Sequence, residues 1–263
     1  MLNPRYIIRL AEMPFSRQFI RSLKSKRIII SRRDLFGRSA ICINHGNHNP
    51  LSVKKQVIEF ILINQPDHIR YCSNKRRNIE ILEEFYPETY NSIDEVNKYP
   101  VIVKPLHGRH GIGVKKMDTK RDLQEFASTN SIRNFLIQEY IPLKNEYRFN
   151  VLDGEIYQIS KKELLEGYND KGFDFEWKSL GKEAKIHPKH FTFVNDVIDK
   201  FHKTVGNRLG SYCVDVMKSA NKRGYFLAEL NSGYGIGSFT IEKLVEILNR
   251  KYRNGDLSKY RVK

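Results

Sequence analysis

A carboxylate and an amide stand two residues apart at the end of one short run, Gly224-Tyr225-Phe226-Leu227-Ala228-Glu229-Leu230-Asn231. As a strand, this run places Leu227, Glu229 and Asn231 on one face and turns Phe226, Ala228 and Leu230 to a core. Glu229 and Asn231 then form a hard oxygen corner suited to magnesium. Upstream, Tyr212-Cys213-Val214-Asp215-Val216-Met217 reads as a second strand. The turn-rich Ser219-Ala220-Asn221-Lys222-Arg223-Gly224 joins the two as a hairpin, which sets Asp215 across from Glu229. An acidic, solvent-facing sheet would present the same residues, so the corner alone does not decide between metal and surface.

A second group lies about a hundred residues earlier. The apolar strand Tyr99-Pro100-Val101-Ile102-Val103-Lys104-Pro105 delivers a lysine, and Gly108-Arg109-His110-Gly111-Ile112-Gly113-Val114 turns into another strand. Glycines permit positive φ and let backbone N–H groups approach an anion, while the lysine supplies a point charge to phosphate oxygens. No Gly-Lys-Ser/Thr follows and no helix opens there, which excludes a P-loop. A dinucleotide fingerprint within a βαβ unit is also absent.

Further elements follow in order. Phe135-Leu136-Ile137-Gln138-Glu139-Tyr140-Ile141-Pro142 is an apolar strand ending in a polar-aromatic step. Glu146-Tyr147-Arg148-Phe149-Asn150-Val151-Leu152 alternates, and closes through Asp153-Gly154, a strong hairpin signal, into Glu155-Ile156-Tyr157-Gln158-Ile159-Ser160-Lys161-Lys162. Over roughly residues 98 to 240 this series resembles the ATP-grasp superfamily, and within it the RimK-like carboxylate–amine ligases.

The resemblance implies an α+β fold in which two lobes clasp ATP, preceded by a small, abbreviated α/β domain. The expected organisation is a basic N-terminal domain over residues 1–97, an ATP-grasp domain over 98–254 and a loose basic tail over 255–263. Lys104 is the implied phosphate-contacting lysine, and Gly108, Arg109, His110, Gly111, Ile112 and Gly113 the implied lid. Gln138, Glu139, Tyr140 and Ile141 would receive the adenine edge through backbone groups. Arg148 would stand near the γ-phosphate and the acyl-phosphate. Lys161 or Lys162 would supply a basic residue on the next strand, and Lys161 is the one taken into the site. Asp215, Glu229 and Asn231 would hold magnesium, two ions in all.

The implied reaction transfers the ATP γ-phosphoryl group to a carboxylate, and an amine then displaces phosphate to leave an amide. No general base is identifiable. A kinase acting on a hydroxyl and a nucleic-acid-binding protein with a vestigial ATP site are the alternatives, the second opposed by the intact set of charged residues. Two departures stand out. Asn231 is followed by Ser232-Gly233-Tyr234-Gly235-Ile236-Gly237 where relatives carry Pro-Gly. The stretch 164–179 holds only Trp177-Lys178-Ser179 as an echo of the relatives' arginine-serine-asparagine substrate motif.

Composition agrees with a nucleotide enzyme of one or two domains: 263 residues with 40% apolar content can bury a core. No apolar run is long enough to span a membrane and no secretory leader is evident. Cys42, Cys72 and Cys213 fit no disulfide or zinc pattern and read as reduced thiols of a cytoplasmic protein. The formal charge of +16 is concentrated. Residues 1–40 hold ten basic and two acidic side chains, Arg32, Arg33 and Arg38 among them, and Lys75-Arg76-Arg77 forms a second cluster. Such asymmetry suits nucleic acid or another polyanion, or simply solubility. Helices are expected from Ser52 through Val53, Val57, Phe60 and Ile61, and over 78–86, 119–127, 191–205 and from Thr240 onward. The histidines of His45-Gly46-Asn47-His48 lack partners for a metal site.

Overall fold

The computed structural model describes residues 5–10, 28–30, 39–45, 59–107, 111–169, 172–180, 186–206, 210–221, 224–232 and 238–261. Three sheets organise the chain. Strands β1 (Arg5–Leu10), β2 (Ile28–Ile30), β3 (Ser39–His45) and β4 (Glu59–Ile63) form a parallel sheet in the order β2-β1-β3-β4. Helices α1 (Pro66–Ser73) and α2 (Lys75–Leu82) follow. An antiparallel sheet, β5-β8-β6-β7, then joins Thr89–Tyr90, Phe135–Glu139, Val101–Pro105 and Lys115–Met117, with helix α3 (Lys120–Thr129) between β7 and β8. The third sheet, β11-β10-β9-β12-β13, comprises Gly172–Ser179, Glu155–Asn169, Leu143–Leu152, Ser211–Ser219 and Tyr225–Asn231, all antiparallel. Helices α4 (Pro188–Val205) and α5 (Ser238–Asn254) complete the α+β architecture.

Local chemistry explains the helix ends. Thr119 and Asp122 form a reciprocal capping box at α3, and proline occupies the first turn of both α1 and α4. Along α4, Val194, Val197, Ile198 and Phe201 form a buried stripe against Phe149, Val151, Val214 and Val216 of the large sheet. A separate core joins Leu123 and Phe126 of α3 to Val101, Val103, Met117 and Ile137.

Three expectations change. Phe60 and Ile61 lie in strand β4, because the continuous run Phe60-Ile61-Leu62-Ile63 suits a strand covered on both faces better than an amphipathic helix; residues 46–58, including His48 and Ser52, lie outside the described ones. The sheet β5-β8-β6-β7 takes in Thr89–Tyr90, so the expected boundary at 97/98 falls inside it. The tail is not loose. Asp256–Tyr260 forms a 3-10 helix whose Leu257 and Tyr260 are buried with Ile41, Ile61, Leu152 and Leu244, and Arg261 bridges to Ile61. The basic side chains of residues 1–40 lie outside the described residues.

Asp153 is the polar anchor of that tail. It sits with Gly154 at positive φ (51° and 80°), the backbone of the two-residue turn predicted from Asp-Gly. Its carboxylate accepts from Tyr260 Oη at 2.8 Å and pairs with Lys259 at 2.6 Å and Lys251 at 3.2 Å. Burial opposes its charge, but Lys259, Tyr260 and Lys251 outweigh it and hold the carboxyl below its ordinary value. The folded pKa is therefore the lower one, and the stabilisation is present above the ordinary carboxylate range and lost as pH falls through the folded value. Asp153→Asn should cost on the order of 2 kcal/mol near neutral pH. Thermal melts across pH check this: the gap between the two proteins must close in acid.

Candidate active site

Asp215 on β12 stands directly across from Glu229 on β13, and Cys213 across from Asn231. On β9, Arg148 stands across from Asp215, and β10 adds Ser160 beside Arg148. One row thus crosses four strands as Ser160, Arg148, Asp215 and Glu229, on one face of the sheet. Glu146 and Asn150 flank Arg148 on that face, and Asn231 flanks Glu229.

Two β-bulges set this alignment. Strand β13 carries an extra residue, Ala228, between the pairs Asp215–Glu229 and Val216–Leu227. Leu227 is consequently buried in the core with Leu230, and does not lie beside Glu229 as plain alternation predicts. On β10 the register shifts at Tyr157, between Ile156–Val151 and Gln158–Asn150. Without that shift Ile159 would oppose Arg148, and Lys161 would join the site face. With it, Ser160 opposes Arg148 and Lys161 opposes Tyr147 on the other face. The basic residue brought to the site is Lys162, in place of Lys161.

The charges of this face are paired. Arg148 grips Asp215 in two parallel hydrogen bonds, Nε to Oδ1 at 2.7 Å and a terminal nitrogen to Oδ2 at 2.6 Å. Its guanidinium also lies over the Trp177 ring, 4.2 Å from the centroid. Burial works against the Arg148 charge, yet Asp215 more than offsets it and the pKa lies above the ordinary arginine value. Lys162 meets Glu146 at 2.9 Å. Burial, aided by Asp215, raises the Glu146 carboxyl against the pull of Lys162 and Lys104.

Lys104, on β6, joins these groups from the neighbouring sheet. Burial pushes its ammonium from 10.5 down to about 8, with Glu146 and Glu229 opposing and Lys75 and Lys162 reinforcing the fall. Lys75 itself reaches Glu229 at 3.4 Å. Sequence reasoning grouped it with Arg76 and Arg77 as one basic patch. In the structure Asn74 caps α2 by accepting from the Arg76 and Arg77 amides, which fixes Lys75 at the helix start, while Arg76 and Arg77 stay exposed. Lys75, Glu146 and Trp177 are therefore site-face residues that the sequence reading did not select. Trp177 was visible only as part of the motif echo, and Glu146 shares the alternation that marked Arg148.

The expected magnesium ligands fit a hard cation in donor chemistry. Two carboxylates and an amide oxygen share one face, and among the described residues no cluster of three His, Cys, Asp or Glu side chains offers another corner. Both Asp215 oxygens already accept from Arg148, but each carboxylate oxygen retains a second lone pair. The linker is partly committed. Gln138 is buried with its side chain on Thr89, and the Glu139 and Tyr140 amides donate to the carbonyls of Glu88 and Pro100. In the glycine loop, Gly111 and Gly113 have φ of 72° and 77°, and a Cβ on Gly113 would meet Pro105 Cγ at 2.9 Å. Ile112 between them is exposed; Gly108, Arg109 and His110 lie outside the described residues.

Residues 83–245 match the family model of an ATP-grasp domain, the second family of its clade. The chain is 27% identical over 158 residues to a D-alanine–D-alanine ligase of Fusobacterium nucleatum, covering 57% of this chain and 51% of that protein. It is 27% identical over 169 residues to a probable α-L-glutamate ligase of Shewanella oneidensis, covering 60% and 53%. It thus spans about half the length of these two relatives. In fold it is similar to the D-alanine–D-alanine ligase of Bacillus anthracis, with a TM-score of 0.62 at 15% identity over 96% of this chain and 100% of that one. A RimK-domain ATP-grasp protein of Sphaerobacter thermophilus superposes with a TM-score of 0.53 at 14% identity over 88% and 92%. With its family model spanning both the β6–β7 glycine turn and the Arg148–Asp215–Glu229 row, the chain belongs to this ATP-grasp domain family.

Proposed function

We propose that this protein is an ATP-dependent ligase that joins a carboxylate to an amine through an acyl-phosphate. The observation that carries the reading is the convergence of Lys75, Lys104, Arg148 and Lys162 with Asp215, Glu229 and Asn231 at one sheet face beside a glycine turn. Four cations on one face exceed what two or three carboxylates need, and the surplus suits a polyphosphate.

In this reading Lys104 and Lys75 hold ATP phosphates, and Gly111 and Gly113 let the turn approach them closely. Asp215, Glu229 and Asn231 would hold magnesium, which when bound neutralises charge on the triphosphate. Arg148 is fixed from one side by Asp215 and from above by Trp177, so its guanidinium is preorganised for charge developing on the transferred phosphoryl group. Because Lys104 titrates near 8, its phosphate attraction is full at neutral pH and weakens in base.

The test incubates the protein with ATP, magnesium, a panel of L-amino acids as carboxylates and hydroxylamine as the amine. ADP release that requires both co-substrates, with hydroxamate as product, is the expected result. ADP release with a hydroxyl compound and no carboxylate would replace ligation by phosphoryl transfer to a hydroxyl.

A further inference from the structure

Next to the charged row runs a row of amides. Gln158 pairs with Asn150, Asn150 with Cys213, and Cys213 with Asn231 across the same four strands. Asn150 is only 3% exposed, and its Nδ2 donates to Gln158 Oε1 at 3.2 Å. Gln158 Nε2 in turn donates to Ser179 Oγ at 3.0 Å. Ser179 is exposed, so a hydrogen-bonded polar line leads from the surface to a buried amide. At its inner end the Asn150 Oδ1 is buried and has no hydrogen-bond partner. A buried acceptor without a donor costs about 1–3 kcal/mol, and such groups ordinarily find one.

The surroundings narrow what that donor is. Arg148 is two residues along β9 on the same face, a separation of about 7 Å along the strand, comparable to one small substrate group. On the other side Leu152 belongs to the apolar cluster of Ile41, Ile43, Leu244 and Leu248, which closes that end of the face. The unpartnered atom is an oxygen, so it repels a carboxylate and accepts from an N–H or O–H group. An amine that donates one N–H to it keeps its lone pair free for attack.

We propose that Asn150, Gln158 and Ser179 form the amine subsite of this enzyme, with Asn150 Oδ1 accepting a hydrogen bond from the nucleophilic nitrogen; this rests on the ligase reading above. Asn150 binds and orients the amine, and Gln158 holds the Asn150 amide in the orientation that leaves its oxygen free.

The test is binding of glycinamide, a primary amine without a carboxylate, to the full chain in the presence of magnesium and a non-hydrolysable ATP analogue, followed by saturation-transfer NMR. The native protein should bind it saturably, Asn150→Leu at least tenfold more weakly, and Asn150→Asp, which keeps an acceptor oxygen, without that loss. Absence of saturable binding to the native protein overturns the proposal, as does equal binding by Asn150→Leu. A merely structural or water-bonded Asn150 predicts the latter, together with a melting temperature that is unchanged or raised once the unsatisfied oxygen is gone. Should Asn150→Leu fail to fold, the Asp variant decides, because amine binding lost there also overturns the assignment. Glycinamide binding that follows Asn150 while ADP release never requires an amine would remove the ligase reading and leave the amine site standing.

Discussion

Glu229→Gln combined with Asn231→Ala should lower ATP-dependent turnover on the order of a thousandfold or more while the protein stays folded. A lost metal ligand removes several kcal/mol of transition-state stabilisation, and each factor of ten in rate corresponds to about 1.4 kcal/mol. The structure separates this loss from unfolding. The Glu229 partner is Lys75 at 3.4 Å, and the two side chains are 30% and 20% exposed. A pair that wet is worth about 0–1 kcal/mol, so the melting temperature should move by only a few degrees. Steady-state ADP release and a thermal melt, made on the same preparation, check both halves. Undiminished turnover would sink the assignment of these residues to metal, and a collapsed melt would void the comparison.

Much of this site was legible because side-chain alternation and hairpin signals are short-range. Asp153-Gly154 fixed one turn, and the run ending at Asn231 fixed the strand that carries Glu229. The opposition of Asp215 to Glu229 followed from the hairpin alone, with no tertiary knowledge. What alternation cannot carry is an extra residue. A bulge inverts the phase of everything beyond it, and neither Ala228 nor Tyr157 announces one by type. The two bulges account for both misplaced side chains, Leu227 and Lys161.

Lys75 escaped for a different reason. Its role depends on where α2 packs against β13, a long-range contact that a basic triplet in the sequence does not encode. The tail escaped likewise. Its charges look like those of a solvated end, but Leu257 and Tyr260 fill the core under the parallel sheet and Lys259 finds Asp153. Fold class was readable from order and spacing, whereas helix Pro66–Ser73 and the strand at Phe60 were set by burial that only the assembled sheets supply.

The Arg148–Asp215 pair is where stability and activity should prove inseparable. Their side chains are 13% and 4% exposed, and two hydrogen bonds of 2.6 and 2.7 Å fix the fork. Removing one partner strands the other as a buried, unpaired charge, so Arg148→Ala should destabilise the protein by about 3–5 kcal/mol. Arg148→Ala with Asp215→Ala removes both charges and should cost far less than the two single losses added together. Denaturant titrations of the four proteins measure that coupling. Additive losses would mean that the pair is not held as the structure shows it. Arg148→Lys separates charge from geometry. A lysine keeps the positive charge but has neither the planar fork for Asp215 nor a face to lay on Trp177. If Arg148 acts through preorganised geometry, Arg148→Lys should recover much of the stability lost in Arg148→Ala while ATP turnover stays depressed by a factor of about ten or more, of the size expected for one misplaced charge-stabilising donor. Recovery of both together would mean that charge alone suffices at this position.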